Sequence, residues 1–259
     1  MVVALLTDFG TQDYFVAAMK GVILTLNPDA TIVDITHEIP PQDIGSAAFV
    51  LRSCYKEFPH NTIFLCVVDP GVGSERRAII VETENYKFVA PDNGLLDLVL
   101  SETERFKAFS ITNTKYLREN ISNTFHGRDI FAPAAGHLSR DIAPSQFGEP
   151  VSLEIKEWGM DAEGPAGFPT EARIIYIDHF GNLVTNIRND VLPDNVEMEI
   201  NGKQISKVYS FYAQAKSGEL FFLRGSAGLV EISLRDGSAQ AELEIKRGAQ
   251  LKIKHKHVL

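Results

Sequence analysis

Short apolar runs alternate with helix-period patterns through the first half of the chain. Residues 2–6 are Val-Val-Ala-Leu-Leu, a short run closed by Thr7-Asp8, and predict a buried strand. Phe15, Ala18, Met19, Val22, Ile23 and Leu26 then recur on one helical face and stop before Asn27-Pro28, which predicts a helix that Asp13 is placed to cap. Residues 30–35 read as a second strand, residues 44–58 as a second helix with Ala47, Ala48, Leu51, Cys54 and Tyr55 inward, and residues 62–68 as a third strand. Strands predicted at 78–82 and 86–90 lead through Pro91-Asp92-Asn93-Gly94 into a helix carrying Leu95, Leu96, Leu98 and Val99. A strand at 108–111 and a polar segment at 113–124 precede a last helix, in which Ile130, Phe131, Ala134, Ala135 and Leu138 share a side and Pro133 fits the first turn. Alternation of this kind predicts a mainly parallel sheet covered by helices on both faces.

The pattern changes after residue 157. Residues 158–170 are rich in Gly and Pro and hold little that packs, so they read as a linker between an α/β domain at 1–157 and a second domain at 171–259. Beyond it come short strands at 172–177, 183–187, 196–200, 203–208, 219–223, 229–234 and 251–254, with Asn201-Gly202 as a two-residue hairpin turn. That spacing predicts a small antiparallel barrel. The basic tail 252–257 alternates charged and apolar residues, as a strand with one wet face does.

Composition narrows the classes. With 259 residues, 44% hydrophobic and 23% charged, the chain is ordinary for a globular protein and has no apolar run near the ~20 residues that span a bilayer, so no membrane partner is expected. A net charge of -9 without a basic face argues against nucleic acid. Cys54 and Cys66 lie in apolar contexts and form no CxxC pair, and the apolar start reaches Asp8 without a basic region before it; a cytoplasmic protein with reduced cysteines is expected. No GxxxxGK[ST], GxGxxG, GxSxG or HExxH motif is present, which argues against nucleoside triphosphate hydrolysis, Rossmann-type dinucleotide binding and serine-hydrolase chemistry.

Candidate chemistry centres on Asp69-Pro70-Gly71-Val72-Gly73-Ser74-Glu75-Arg76. Asp69 ends the third strand, where ligands collect in open α/β sheets, and the glycines let Arg76 return toward it. The simplest structural reading is an internal ion pair that ties a tight loop. Asp8 sits at another strand end, as a ligand contact or a turn residue. His126 beside Gly127 is a candidate acid–base group, Asp129 most simply caps the following helix, and Asp178-His179-Phe180-Gly181-Asn182 reads as a hairpin loop.

Six segments taken together resemble one family: Thr7-Asp8-Phe9-Gly10, Asp34-Ile35-Thr36-His37, Val68 to Gly73 with Arg76, Pro91 to Gly94, Phe125 to Asp129, and Asp178 to Asn182. In this order along nearly the whole chain they are similar to the S-adenosyl-L-methionine hydrolases, or hydroxide adenosyltransferases, homologous to the fluorinating and chlorinating adenosyl halogenases. The resemblance implies an α/β domain joined to a β-barrel, a homotrimer with active sites shared between subunits, and conversion of S-adenosyl-L-methionine and water to adenosine and L-methionine. It implies that Asp69, Arg76 and His126 surround the attacking water, a set from which the halogenases depart. It assigns Asp8 to the ribose hydroxyls, with Phe9 and Asp13 also on the substrate. Asp178 and Asn182 fall to the methionine portion, and Phe180, Tyr209 and Ser226 lie near the adenine. Gln42 falls where the halogenases carry an aromatic residue.

The implied chemistry is self-consistent. A sulfonium leaves as a neutral thioether, so neither a general acid, a metal nor a cofactor is expected; the site must aim a nucleophile, and positioning supplies about 7–11 kcal/mol. Arg76 stabilises developing hydroxide without being a base, which leaves Asp69 and His126 as orienter and proton acceptor. Competing readings are a halogenase, a non-catalytic S-adenosylmethionine or adenosine binder, and a metal phosphohydrolase gathering Asp8, Asp69, Asp92 and Asp129.

Overall fold

The computed structural model describes residues 1–156, 158, 162, 168–193 and 195–255, and the chain divides into two compact units, Met1–Trp158 and Gly159–Leu259. Most of the expected linker, at 159–161 and 163–167, and the end of the basic tail, at 256–257, lie outside the described residues.

The first unit holds β1 (Val2–Thr7), α1 (Phe15–Leu26), β2 (Thr31–Thr36), α2 (Ile44–Cys54), β3 (Ile63–Val67), β4 (Ala78–Thr83), β5 (Lys87–Pro91), α3 (Asp97–Ser101), β6 (Phe106–Ser110) and α4 (Ala132–Leu138). Its sheet runs β2-β1-β3-β5-β4-β6, parallel from β2 to β5, with β4 antiparallel to both of its neighbours. The short turn after β4 forces that reversal, since only crossovers of a dozen or more residues join parallel strands. β1 shows why its sequence is apolar throughout. Val3 and Leu5 pack with Met19 and Ile23 of α1 and with Ala134, Ala135 and Leu138 of α4, whereas Ala4 and Leu6 face Ala47 and Leu51 of α2 and Val99 and Leu100 of α3. The period of two divides one run between two helical layers, and burying each leucine contributes about 1.5–3 kcal/mol.

Three local readings need correction. The second helix stops at Cys54 and a 3-10 turn takes Tyr55–Glu57, because Phe58 precedes Pro59 and is pushed to extended backbone, with ψ 151°. Asp13 does not cap α1. Tyr14 is the N-cap residue and already lies in the right-handed helical region, so the exposed Asp13 sits one residue too early. Nor does Asp129 cap the last helix, because winding begins earlier, as a π-turn over Gly127–Phe131, and Asp129 is buried within it.

The second unit is β7 (Glu171–Ile177), β8 (Leu183–Arg188), β9 (Val196–Ile200), β10 (Lys203–Ile205), β11 (Leu220–Arg224), β12 (Leu229–Leu234), α5 (Ala239–Leu243) and β13 (Gln250–His255). The strands run β10-β9-β13-β7-β8-β12-β11, all antiparallel. Asn201 and Gly202 have φ of 47° and 75°, the paired positive values of a type I′ hairpin turn. The strand expected at 203–208 ends at Ile205 because the chain then leaves β9 for the opposite edge. There Phe222 N–H donates to Lys207 O and Tyr209 N–H to Phe222 O, each at 3.0 Å, so the sheet closes almost completely into a barrel. α5 was not expected; Ser238 caps it by accepting from Ala241 N–H.

Candidate active site

β3 delivers Asp69 to the carboxyl edge of the first unit's sheet, and the loop after it turns back on itself. Gly73 has φ 78°, and a Cβ there would lie 2.5 Å from Asn123 O, so only glycine lets this loop abut the segment that leads to His126. Asn93 supports the strand end from below, its side-chain N–H donating to Val68 O at 2.9 Å.

The fold brings Asp69, Arg76 and His126 into one chain of hydrogen bonds. Arg76 Nε donates to both carboxylate oxygens of Asp69 at 3.0 Å, and its Nη2 donates to Oδ2 as well. The same Nη2 donates to His126 Nδ1 at 2.8 Å. The pair is largely removed from water, with side-chain exposures of 5% for Asp69 and 12% for Arg76. The guanidinium also lies over the Phe131 ring, 5.2 Å from its centroid. Since Arg only donates, His126 Nδ1 must accept, which puts the proton of the neutral ring on Nε2. Burial, then the Arg76 charge, pushes the His126 pKa below its usual value and keeps the ring neutral. Nε2–H is left to face a water or substrate, and Asp69 Oδ1, with one bond accepted, keeps free acceptor capacity.

Asp129 secures the segment that carries His126. Its buried carboxylate accepts from Ser122 N–H and Arg128, and its backbone carbonyl accepts from Arg118 N–H. Asp92 is likewise held by Arg77. Asp69, Asp92 and Asp129 are thus each neutralised by their own arginine, and among the described residues no three His, Cys, Asp or Glu side chains converge as a metal site.

Asp8 follows β1, half-buried, with Oδ2 accepting from Gln42 N–H at 2.8 Å. Burial raises its pKa, and the Asp69 charge adds to the rise. Phe9 packs edgewise on Phe125, centroids 6.0 Å apart, and tilts against Phe15. Asp13 is exposed and stands apart from the hydrogen-bonded set.

In the second unit Asp178 closes the β7–β8 turn. Its Oδ1 accepts from Phe180 N–H and Asn182 N–H, and its Oδ2 from the Asn182 side chain at 2.8 Å. Phe180 projects from this turn, 75% exposed. Tyr209 donates to Glu219 at 3.1 Å and tilts against Phe221, and Ser226 lies exposed in the β11–β12 turn.

Sequence reasoning missed Phe131, Thr7 and the backbone N–H of Gln42. Phe131 reads only as a core position of the last helix. It also missed Tyr212, whose hydroxyl donates to Glu231 close enough to Asp178 to feel its charge.

Residues 3–148 match the family profile described as the SAM hydroxide adenosyltransferase N-terminal domain, and residues 172–252 match the corresponding C-terminal domain. An (R)-S-adenosyl-L-methionine hydrolase of Thermus thermophilus is 33% identical over 257 residues, covering 96% of this chain and 97% of the relative. One from Methanocaldococcus jannaschii is 35% identical over 247 residues, 90% and 88% of the two chains. A fluorinase of an Actinoplanes species is more distant, 29% identical over 212 residues and 72% of this chain. The crystal structure of an uncharacterized conserved protein from Thermotoga maritima superposes with a TM-score of 0.89 at 34% identity, covering 98% of this chain and 99% of that one. Two consecutive domain matches and these near-full-length similarities establish that the chain belongs to the SAM hydroxide adenosyltransferase family.

Proposed function

We propose that this protein hydrolyses S-adenosyl-L-methionine to adenosine and L-methionine, with Asp69, Arg76 and His126 around the attacking water. The observation that carries the reading is the buried Asp69–Arg76–His126 chain, in which one fixed cation touches both a carboxylate and a neutral imidazole. Water attacks C5′ of the substrate in line with the C5′–S bond. A C5′–O bond forms while the C5′–S bond breaks, and its electron pair stays on sulfur, which leaves as the neutral thioether of methionine. The water proton passes to Asp69 Oδ1 and then to solvent. Asp69 takes this role because His126 Nδ1 is already engaged and Nε2 carries a proton, so His126 orients the water by donating to it. Arg76 lowers the cost of hydroxide character, as preorganised cations and dipoles do in dry sites. The leaving group needs no protonation, so the chain's own residues suffice and the substrate is the one small molecule required.

Asp8 accepts from the ribose diol, with Phe9 beside it. Asp178 and Asn182 hold the methionine portion, and Phe180, Tyr209 and Ser226 flank the adenine. Asp13 contacts substrate only if its loop turns inward. In this reading the protein is cytoplasmic and works as a homotrimer, with the exposed Phe180 turn donated to a neighbouring subunit's substrate. The (R)-S-adenosyl-L-methionine hydrolase relatives support water as the nucleophile, and the fluorinase relatives make halide the alternative to test. Purified protein incubated with S-adenosylmethionine, with and without chloride and with EDTA, decides it by chromatography. Adenosine and methionine in equal amounts under all three conditions are expected; a chlorinated nucleoside, or no turnover, contradicts the proposal.

A further inference from the structure

A second hydrogen-bonded chain lies beside the catalytic one and takes no part in the chemistry above. Thr7, fully buried at the end of β1, meets His37 Nδ1 through its hydroxyl at 2.8 Å, and His37 is itself only 4% exposed. Beyond it, His37 Nε2 lies 3.1 Å from Asp34 Oδ1, off the line of an aligned hydrogen bond, and Asp34 Oδ2 accepts from Lys20 at 2.6 Å. A bare Nε2 facing a carboxylate would be repelled, so Nε2 carries the ring proton and Nδ1 accepts from Thr7. The Asp34 pKa is lowered: burial opposes ionisation, but Lys20 and His37 outweigh it and the carboxylate stays charged.

The contacts all bear on one loop. Phe9 N–H donates to Thr7 Oγ1 at 3.3 Å, Gly10 N–H to His37 O at 2.8 Å, and Thr11 Oγ1 to Glu38 at 3.2 Å. Four residues further on, Gln42 reaches φ 66°, uncommon for a residue with a Cβ, and there its N–H meets Asp8 Oδ2. The exit of β2 thus grips the exit of β1 on both sides of Asp8. A carboxylate that must receive two vicinal hydroxyls at once needs its plane fixed, and a backbone N–H on one oxygen together with a pinned loop provides this.

We infer that His37 is a positioning residue: through Thr7 Oγ1 and its own carbonyl it sets the loop that carries Asp8, and so determines how strongly the site prefers a ribose to a 2′-deoxyribose. The inference rests on the reading of Asp8 as the ribose contact. Calorimetric titration with adenosine and with 2′-deoxyadenosine tests it on wild type, His37→Ala, Thr7→Val and His37→Asn, each also followed by thermal melting. Wild type prefers adenosine, and His37→Ala and Thr7→Val each lose about tenfold of that preference, the scale of one misaligned hydrogen bond to a charged group. His37→Asn, whose amide oxygen falls near the Nδ1 position, regains most of it. A purely structural role lowers the melting temperature but leaves the ratio unchanged, and an unchanged ratio in folded Thr7→Val overturns the inference even where His37→Ala does not fold. If wild type binds both nucleosides equally, the ribose role of Asp8 falls first and the inference with it.

Discussion

The loops at Asp69 and Asp178 both follow a strand and both carry an Asp, yet they use it differently. Asp69 gives its carboxylate to a cation seven residues away, which in turn reaches His126 fifty residues further on. Asp178 gives its carboxylate to its own turn, to Phe180 N–H, Asn182 N–H and the Asn182 side chain. One arrangement buries charge and couples distant segments; the other is a local Asx turn that presents an aromatic ring outward, and such turns need no tertiary partner. In the proposed function chemistry concentrates in the first loop and recognition in the second, and the two are expected to fail differently.

The largest expected break is Arg76→Ala. Removing one preorganised donor costs about 10²–10³ in turnover, and leaving Asp69 buried without its partner destabilises the fold by about 3–5 kcal/mol, read by denaturant unfolding. His126→Ala separates the two effects, with kcat falling about 10²-fold while the unfolding midpoint moves far less, because the Asp69–Arg76 pair survives. Gly73→Ala attacks the same loop through its backbone. A left-handed φ and a Cβ 2.5 Å from Asn123 O cost roughly 1–3 kcal/mol, and turnover drops as the loop withdraws from the His126 segment.

The pH profile sharpens the electrostatics. Neutral His126 accepts from Arg76, and its pKa is lowered from an ordinary 6.5, so the acid limb of kcat/KM falls below pH 6.5. Activity is retained as pH drops through 6.5 and is lost only further down; an acid limb at or above 6.5 contradicts the lowered pKa, and activity that falls as pH rises through this range places the active ring in its protonated form. Phe180→Ala gives the smallest effect on the fold, within about 0.5 kcal/mol for so exposed a side chain. It raises KM and leaves kcat nearly unchanged, the opposite of the first loop.

The fold was legible where a periodicity ran long. The six apolar residues on one face of α1 and the unbroken apolar run at 2–6 in β1 show their layer directly, because a strand buried on both faces reads as a near-continuous apolar run. Boundaries were less legible: Pro59 shortens α2 through its effect on Phe58, and the π-turn at Gly127 moves Asp129 from a cap to a buried anchor. Of the candidate site, the Asp69–Arg76 pairing could be read from loop length and glycines. The joining of His126 to that pair came only through the family resemblance, since residue spacing alone does not show that Gly73 packs against Asn123 across fifty residues. The hydrogen bond from Gln42 N–H to Asp8 was invisible for a different reason: a backbone donor leaves no side-chain signature.

The central claim is that this constellation directs water onto C5′. Turnover of S-adenosylmethionine in oxygen-18 water, followed by mass spectrometry of both products, tests it most directly. The account predicts one labelled oxygen at C5′ of adenosine and unlabelled methionine. Label in methionine, unlabelled adenosine, or a halogenated nucleoside when chloride is present contradicts it.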